Sequence, residues 1–351
     1  MKARPTLALI AGDPGGGAAL APVVEALQAQ QWPHRLYAYN ESLLAWRARG
    51  WQVSPADQPD LRDVAGVVCA TSVNTAMYEL RWIAAARLAS TPSLSLIDFW
   101  SNYAPRFVLD GQTVLPDRIA VMDTLARDEM VMAGFAAAML VSTGQPALDG
   151  LAGRARPSAE RRAAIRQACG LHDARALAVF VSQPLRVMAH LLKQPVLIDE
   201  RQALSDIEAA VLALSQSLAG QHIALRIKLH PREKRDDFDH IGNIWSDTQL
   251  APAELAHDLL MCADIVLGIH SMMLFEACHL GCRVVSYQPG LDVASDPLPS
   301  NRAGWSWRCT QATALADTLA HALTGRCAQP PALDGKAAQR VIDAISQLIM
   351  N

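Results

Sequence analysis

The sequence predicts an α/β protein of two successive βα domains that face each other across a central cleft. Three observations carry this. Short apolar runs, continuous rather than alternating, recur along the chain between stretches of helical periodicity, which marks parallel strands covered on both faces. The pattern breaks once, near Gly150, and then starts again. A length of 351 residues gives room for two cores.

Thr6–Ala11 reads as a buried strand. Gly15, Gly16 and Gly17 follow it, and apolar spacing of three and four makes Ala18–Gln30 a helix. Arg35–Tyr39, Val64–Ala70, Ser93–Ile97, Arg118–Met122 and Ala138–Ser142 read as further strands. A helix over Asn74–Ala89 begins on a polar turn that Thr71 and Ser72 can cap, and another starts at Thr124. Leu151–Pro157 is loop-like, and Ser158–Cys169 is a polar helix capped by Ser158, read as the connection between domains. The alternation resumes with strands Ala176–Val181, Ile223–Leu229, Asp264–Ile269 and Arg283–Tyr287. Helices are expected over Asp206–Ala219, Pro252–Cys262, His270–Leu280 and Thr310–Leu323. After Pro330-Pro331 comes a last helix, Lys336–Met350. The division is 1–152 for the first domain, 153–173 for a linker helix, 174–328 for the second domain and 329–351 for the C-terminal helix.

Composition narrows the function. With 31 basic and 34 acidic residues the formal net charge is −3, which lacks the basic surplus of a broad nucleic-acid footprint. Seven cysteines without any CxxC argue against a disulfide framework and against a zinc site, and fit buried free thiols. No apolar run approaches the ~20 residues of a membrane span. The apolar start Leu7–Ala11 breaks at Gly12-Asp13-Pro14, too soon for a signal peptide. A cytoplasmic setting is the expectation.

Ligands of parallel sheets sit beyond the carboxyl ends of the strands, so the residues there are the candidates. Gly12-Asp13-Pro14-Gly15-Gly16-Gly17 follows the first strand; its glycines allow close approach of a ligand or of facing backbone, and the helix behind it offers N–H groups to an anion. Asp13 can equally cap that helix. Asp98 ends a strand, with Phe99, Trp100 and Tyr103 near it; it is a candidate base or a loop carboxylate satisfied locally. His230-Pro231-Arg232-Glu233 ends another strand, bringing an imidazole for a phosphate oxygen or a proton and a guanidinium fork. His270, Ser271 and Met272 open a helix suited to a phosphate, and Glu276, about one and a half turns on, can reach a ribose diol. Ser182, Gln183 and Gln288 stand at further strand ends. There is no GxSxG elbow and no HExxH.

The two-domain plan, the His230-Pro231 turn and the run Ser271, Glu276, Ala277, Gly281 resemble the GT-B fold nucleotide-sugar glycosyltransferases, built from two Rossmann-like domains. Ala263–Gln288 is the segment most like them. It is similar to nucleotide-sugar transferases and to non-hydrolysing UDP-N-acetylglucosamine 2-epimerases; the His-Pro turn also resembles bacterial sialyl and capsule transferases with CMP- or CDP-linked donors. The resemblance implies a nucleotide donor in the second domain and an acceptor in the first. It puts His230 and Ser271 on donor phosphates, Glu276 on the ribose, and Gly15 and Gly16 beside the phosphates. The last helix would cross back to the first domain. Ser182, Gln183, Arg232, His270, Met272 and Gln288 would complete the nucleotide site. The catalytic base varies among such enzymes, and Asp98 and then Asp13 are the candidates. The expected activity is a metal-independent transfer of a sugar from a UDP- or CMP-linked donor to a cell-envelope or natural-product acceptor. It needs no cofactor beyond the nucleotide sugar, and peripheral membrane contact stays open. The alternatives are a UDP-N-acetylglucosamine 2-epimerase-like enzyme, whose several catalytic carboxylates and histidines are not recognisable in the sequence, and a catalytically silent GT-B scaffold that binds a ligand or partner.

Overall fold

Both large sheets are parallel throughout, as strands of unbroken apolar residues require. The computed structural model describes residues 4–71, 77–171, 176–192, 198–217, 222–253 and 255–350. The chain divides into Met1–Gly153 with Leu333–Asn351, and Arg154–Ala332.

The first unit holds strands β1 (Thr6–Ala11), β2 (His34–Ala38), β3 (Val53–Pro55), β4 (Val64–Ala70), β5 (Ser93–Leu96), β6 (Arg118–Val121) and β7 (Leu140–Ser142). Their order is β3-β2-β1-β4-β5-β6-β7, so the chain reverses its direction of winding between β1 and β4. Helices α1 (Pro14–Ala29), α2 (Asn40–Ala48), α3 (Tyr78–Leu88) and α4 (Thr124–Met132) complete the crossovers. Helix α1 begins at Pro14, four residues before the expected Ala18. Proline fits the first helical position, where its missing N–H is not needed. The three glycines therefore lie in the first turn of the helix rather than in a loop before it. Ser72 and Asn74, expected at the start of the next helix, lie outside the described residues.

The second unit begins with α5 (Ala159–Ala168), where Ser158 Oγ accepts the Arg161 N–H. Its Ile165 packs into a core with Leu177, Val179 and Val181, so the helix expected as a linker is built into this unit. Strands β8 (Ala176–Val181), β9 (Ile223–Lys228), β10 (Thr248–Leu250), β11 (Ile265–Gly268), β12 (Val284–Tyr287) and β13 (Trp307–Cys309) take the order β10-β9-β8-β11-β12-β13. Alternate residues of β8 face opposite ways: Ala178 and Phe180 join the second core, under α7 (Glu200–Ser217) and α10 (Leu315–Thr324). The unit also holds α6 (Leu185–Leu192), α8 (Ala256–Cys262) and α9 (Met272–His279).

The last helix, α11 (Ala337–Met350), belongs to the first unit. It buries Val341, Ile342 and Ile345 in the core that holds Leu7, Leu9, Val68 and Leu94. The Asp149 carboxylate accepts the N–H groups of Ala337 and Ala338, 3.0 and 2.8 Å away, and so caps its start. No helix among the described residues is long and apolar enough to cross a membrane.

Candidate functional site

In the second unit the winding reverses between β8 and β11, the place where α/β sheets open a ligand crevice. Val181 is in register with Lys228 on one side and Gly268 on the other. The residues that follow each strand, Ser182-Gln183, Leu229-His230 and Ile269-His270-Ser271, thus emerge side by side. Three hydrogen bonds fix them. Ser182 Oγ donates to Glu233 Oε1 at 2.7 Å, His230 N–H donates to Glu233 Oε2 at 2.7 Å, and His270 N–H donates to Gln183 Oε1 at 2.8 Å. Burial raises the Glu233 carboxyl above its ordinary range.

His230 Nδ1 accepts the backbone N–H of Arg232 at 3.1 Å, which leaves the proton of the neutral ring on Nε2. Burial, then the charges of Arg232 and Lys228, lower its affinity for a second proton. The ring is therefore a neutral donor through Nε2–H. Ser271 is the N-cap of α9, its Oγ accepting Met273 N–H at 3.2 Å, and its own hydroxyl proton remains to donate. The first turn of α9, including Met272, adds the positive end of the helix. Beside this lies an apolar slot of about 190 Å³ between Leu185, Ile269, Pro289 and Leu291, with His270 at its rim. Burial also keeps His270 neutral.

Two further expected residues, Glu276 and Gln288, make bonds within the unit, and Gln288 also lines the slot. Glu276 Oε2 meets His257 Nε2 at 2.7 Å, which ties this carboxylate to α8. Gln288 is buried, and its Nε2 donates to Ser286 Oγ and Asp296 Oδ1 inside the unit. Asp296 also accepts from Leu298, Asn301 and Arg308, which makes this network structural.

In the first unit the reversal lies between β1 and β4. Asp13 is the N-cap of α1, yet its side chain makes no capping bond. Asp98 is held by the buried guanidinium of Arg106, which also donates to Thr71 Oγ1 and to the carbonyls of Thr71 and Ser101. A base so paired gives up an ion pair when it takes a proton, which weakens Asp98 as the first choice. A Cβ on Gly15 would lie 2.4 Å from Asp98 Oδ2, and one on Gly17 would lie 2.2 Å from Ser42 Oγ. The glycines thus admit the protein's own side chains. A carboxylate already occupies the space beside Gly15, and a Cβ on Gly16 would meet Ala70 at 3.0 Å.

A residue without a role in the sequence reading completes the cluster. Glu79, in the first turn of α3, is 1% exposed. Its Oε2 accepts the Tyr39 hydroxyl at 2.6 Å, and its Oε1 has no hydrogen-bond partner among the described residues. Burial, with lesser contributions from the charges of Asp13 and Asp98, raises its carboxyl to about 7. A group poised there holds and releases protons near neutral pH. Among the described residues, no three His, Cys, Asp or Glu side chains are grouped to hold a metal ion.

No protein-family model matches the chain, and no curated protein matches it in sequence. Solved structures do match along nearly all of it. The UDP-GlcNAc 2-epimerase from Methanocaldococcus jannaschii aligns over 97% of this chain and 99% of its own, with TM-score 0.65 at 12% identity. The UDP-GlcNAc 2-epimerase from Neisseria meningitidis bound to UDP-GlcNAc aligns over 97% and 100%, with TM-score 0.66 at 11% identity. MurG of Acinetobacter baumannii aligns over 98% and 99%, with TM-score 0.59 at 15% identity. This chain has the GT-B fold.

Within this GT-B chain, His230, Ser271, Ser182, Gln183, His270 and Met272 come together at the carboxyl edge of the second sheet. Arg232 lies on the turn beyond His230, partly exposed. Asp13, Asp98 and Glu79 gather at the same edge of the first sheet. The signal that could have found Glu79 is its place one residue into the helix after β4, in a sequence where few acids interrupt apolar stretches.

Proposed function

We propose that the protein acts on a UDP-linked sugar and inverts the sugar at C2, in the manner of the epimerases it resembles in fold. The observation that carries this reading is the carboxyl cluster of Asp13, Glu79 and Asp98, in which one member sits near 7. Inversion at C2 needs one group to take the C2 proton and one to return a proton to the other face. The C2–H pair forms a C1–C2 double bond as the C1–O bond breaks, and the diphosphate leaves with that bond's electrons. The phosphate oxygen then re-adds to C1 as C2 is protonated. Asp13, close enough to Glu79 for its charge to act on that carboxyl, takes the role of base, and Glu79, with the Tyr39 hydroxyl, that of proton store. Within the second unit, His230 Nε2–H, the Ser271 hydroxyl and the N-terminus of α9 are donors suited to a diphosphate, and the apolar slot near His270 suits a nucleotide base. No cofactor is required, and the seven free thiols fit a reducing, cytoplasmic setting.

The test is incubation with UDP-N-acetylglucosamine in D2O without an acceptor. The expected result is the C2 epimer carrying deuterium at C2, with glycal as a side product. Absence of UDP binding by calorimetry refutes the nucleotide site, and binding with no exchange at C2 refutes the epimerase reading. The MurG match favours a second reading, transfer to an acceptor. Under it UDP, CMP or CDP binds, and sugar leaves the donor only when an acceptor is added. Binding with no turnover under either condition identifies a silent scaffold.

A further inference from the structure

A second cavity, of about 360 Å³, opens at the opposite edge of the second sheet. Its walls come from the amino ends of β11, β12 and β13 and from the C-terminal end of α9, whereas the candidate nucleotide site lies beyond the carboxyl ends. The four residues of β11 and of β12 separate the two by on the order of 13 Å.

Three guanidiniums line this cavity, those of Arg156, Arg283 and Arg326. Arg156 is committed to the end of α9, its Nη2 donating to the Gly281 carbonyl at 2.8 Å. The guanidiniums of Arg283 and Arg326 make no hydrogen bond or ion pair among the described residues. One acid faces them, Asp264, and its charge is met from outside: it accepts Leu177 N–H at 2.8 Å and lies 3.9 and 3.8 Å from Arg162 and Arg166. The thiols of Cys278 and Cys282 are pushed up to about 12 by burial and stay uncharged. The remaining walls include two half-buried indoles. Trp305 is held by Phe275 and His279, each with ring centroids 5.6 Å away, and Trp307 opens β13.

Two uncommitted guanidiniums, no opposing free charge and two fixed aromatic rings recognise one kind of ligand. We propose that this cavity binds an aromatic or heteroaromatic ring bearing a phosphate monoester, the phosphate on Arg283 and Arg326 and the ring against Trp305 and Trp307. The proposal does not depend on the function assigned to the carboxyl edge.

The experiment titrates the full chain with AMP and with phenyl phosphate by calorimetry and tryptophan fluorescence, first alone and then with UDP present in excess. Inorganic phosphate and adenosine are the single-feature controls. The expected result is saturable binding of at least one monoester that persists under excess UDP, with both controls at least about tenfold weaker. The double variant R283A/R326A, altered at two exposed positions, should weaken it by about tenfold or more with an unchanged thermal transition. W307F should diminish the fluorescence response. No saturable binding of either monoester up to millimolar concentration overturns the proposal. So does binding that the arginine variant leaves intact, or binding abolished by UDP and by H230A.

Discussion

Glu79 shows how one carboxyl changes meaning with its surroundings. In an unfolded chain it titrates near 4.5, and in the folded chain near 7. Between these values the folded protein holds a proton that the unfolded one has lost, so stability falls as pH rises through the window and stays lower above it. The full effect is on the order of 3 kcal/mol. Glu79→Gln removes this titration while keeping a polar group of the same shape. Urea denaturation from about pH 5 to about pH 8 should show wild type losing stability relative to the variant. Parallel curves would mean that Glu79 is not displaced from its ordinary range. Asp98 and Arg106 pose the opposite case, a nearly buried pair already matched. Arg106→Leu leaves the carboxylate and Thr71 without their donor and is expected to cost about 3–5 kcal/mol. Asp98→Asn in the same background should add less than it does alone, by about 1 kcal/mol or more in a double-mutant cycle.

At the scale of elements, the first turn of α1 decides how the first site is assembled. Gly15 lets Asp98 and Gly17 lets Ser42 come within contact of the helix backbone, and Ser42 Oγ donates to the Asp13 carbonyl at 2.7 Å. Gly17→Ala sets a methyl 2.2 Å from that hydroxyl, and relief requires moving α2 away from α1. A loss of about 1–3 kcal/mol is expected in chemical denaturation. The same change in a Ser42→Gly background should cost clearly less; an equal penalty in both would place the strain elsewhere. The elements also explain what the sequence made legible. The long central strands announce themselves because burial on both faces demands unbroken apolar runs, and the candidate residues at their carboxyl ends follow from topology alone. Val53–Pro55, Thr248–Leu250 and Trp307–Cys309 are three-residue edge strands, too short to show a period. The bonds of Glu276 to His257 and of Gln288 to Asp296 were not legible, because those partners follow no pattern in the sequence. Glu79 stayed hidden for a related reason: its character comes first from burial, and then from Tyr39, Asp13 and Asp98, brought to it by three other strand ends.

At the scale of the whole molecule, the chain leaves its first unit at Gly153 and returns to it at Leu333. The first unit is therefore completed only when the last helix docks. That helix contributes Val341, Ile342 and Ile345 to a core shared with β1, β4 and β5, so the final residues of the chain stabilise its first strands. Burying one isoleucine of this kind is worth about 2–5 kcal/mol when truncated to alanine. Ile345→Ala should accordingly lower the protection of β1, β4 and β5 in amide hydrogen exchange. Strands β8, β9 and β11 share no core with Ile345, and their protection should hold. Calorimetric titration of UDP into the same variant, at a temperature where both units remain folded, separates structure from binding. His230, Ser271 and the slot beside His270 belong to the unit that Ile345 does not enter, so UDP affinity should stay within about twofold of wild type. By contrast, H230A and S271A should each weaken UDP by about 1–3 kcal/mol without changing exchange at β1. If Ile345→Ala weakens UDP as strongly as those two substitutions do, the nucleotide is not held by the second unit alone, and the division of roles between the two sheets fails.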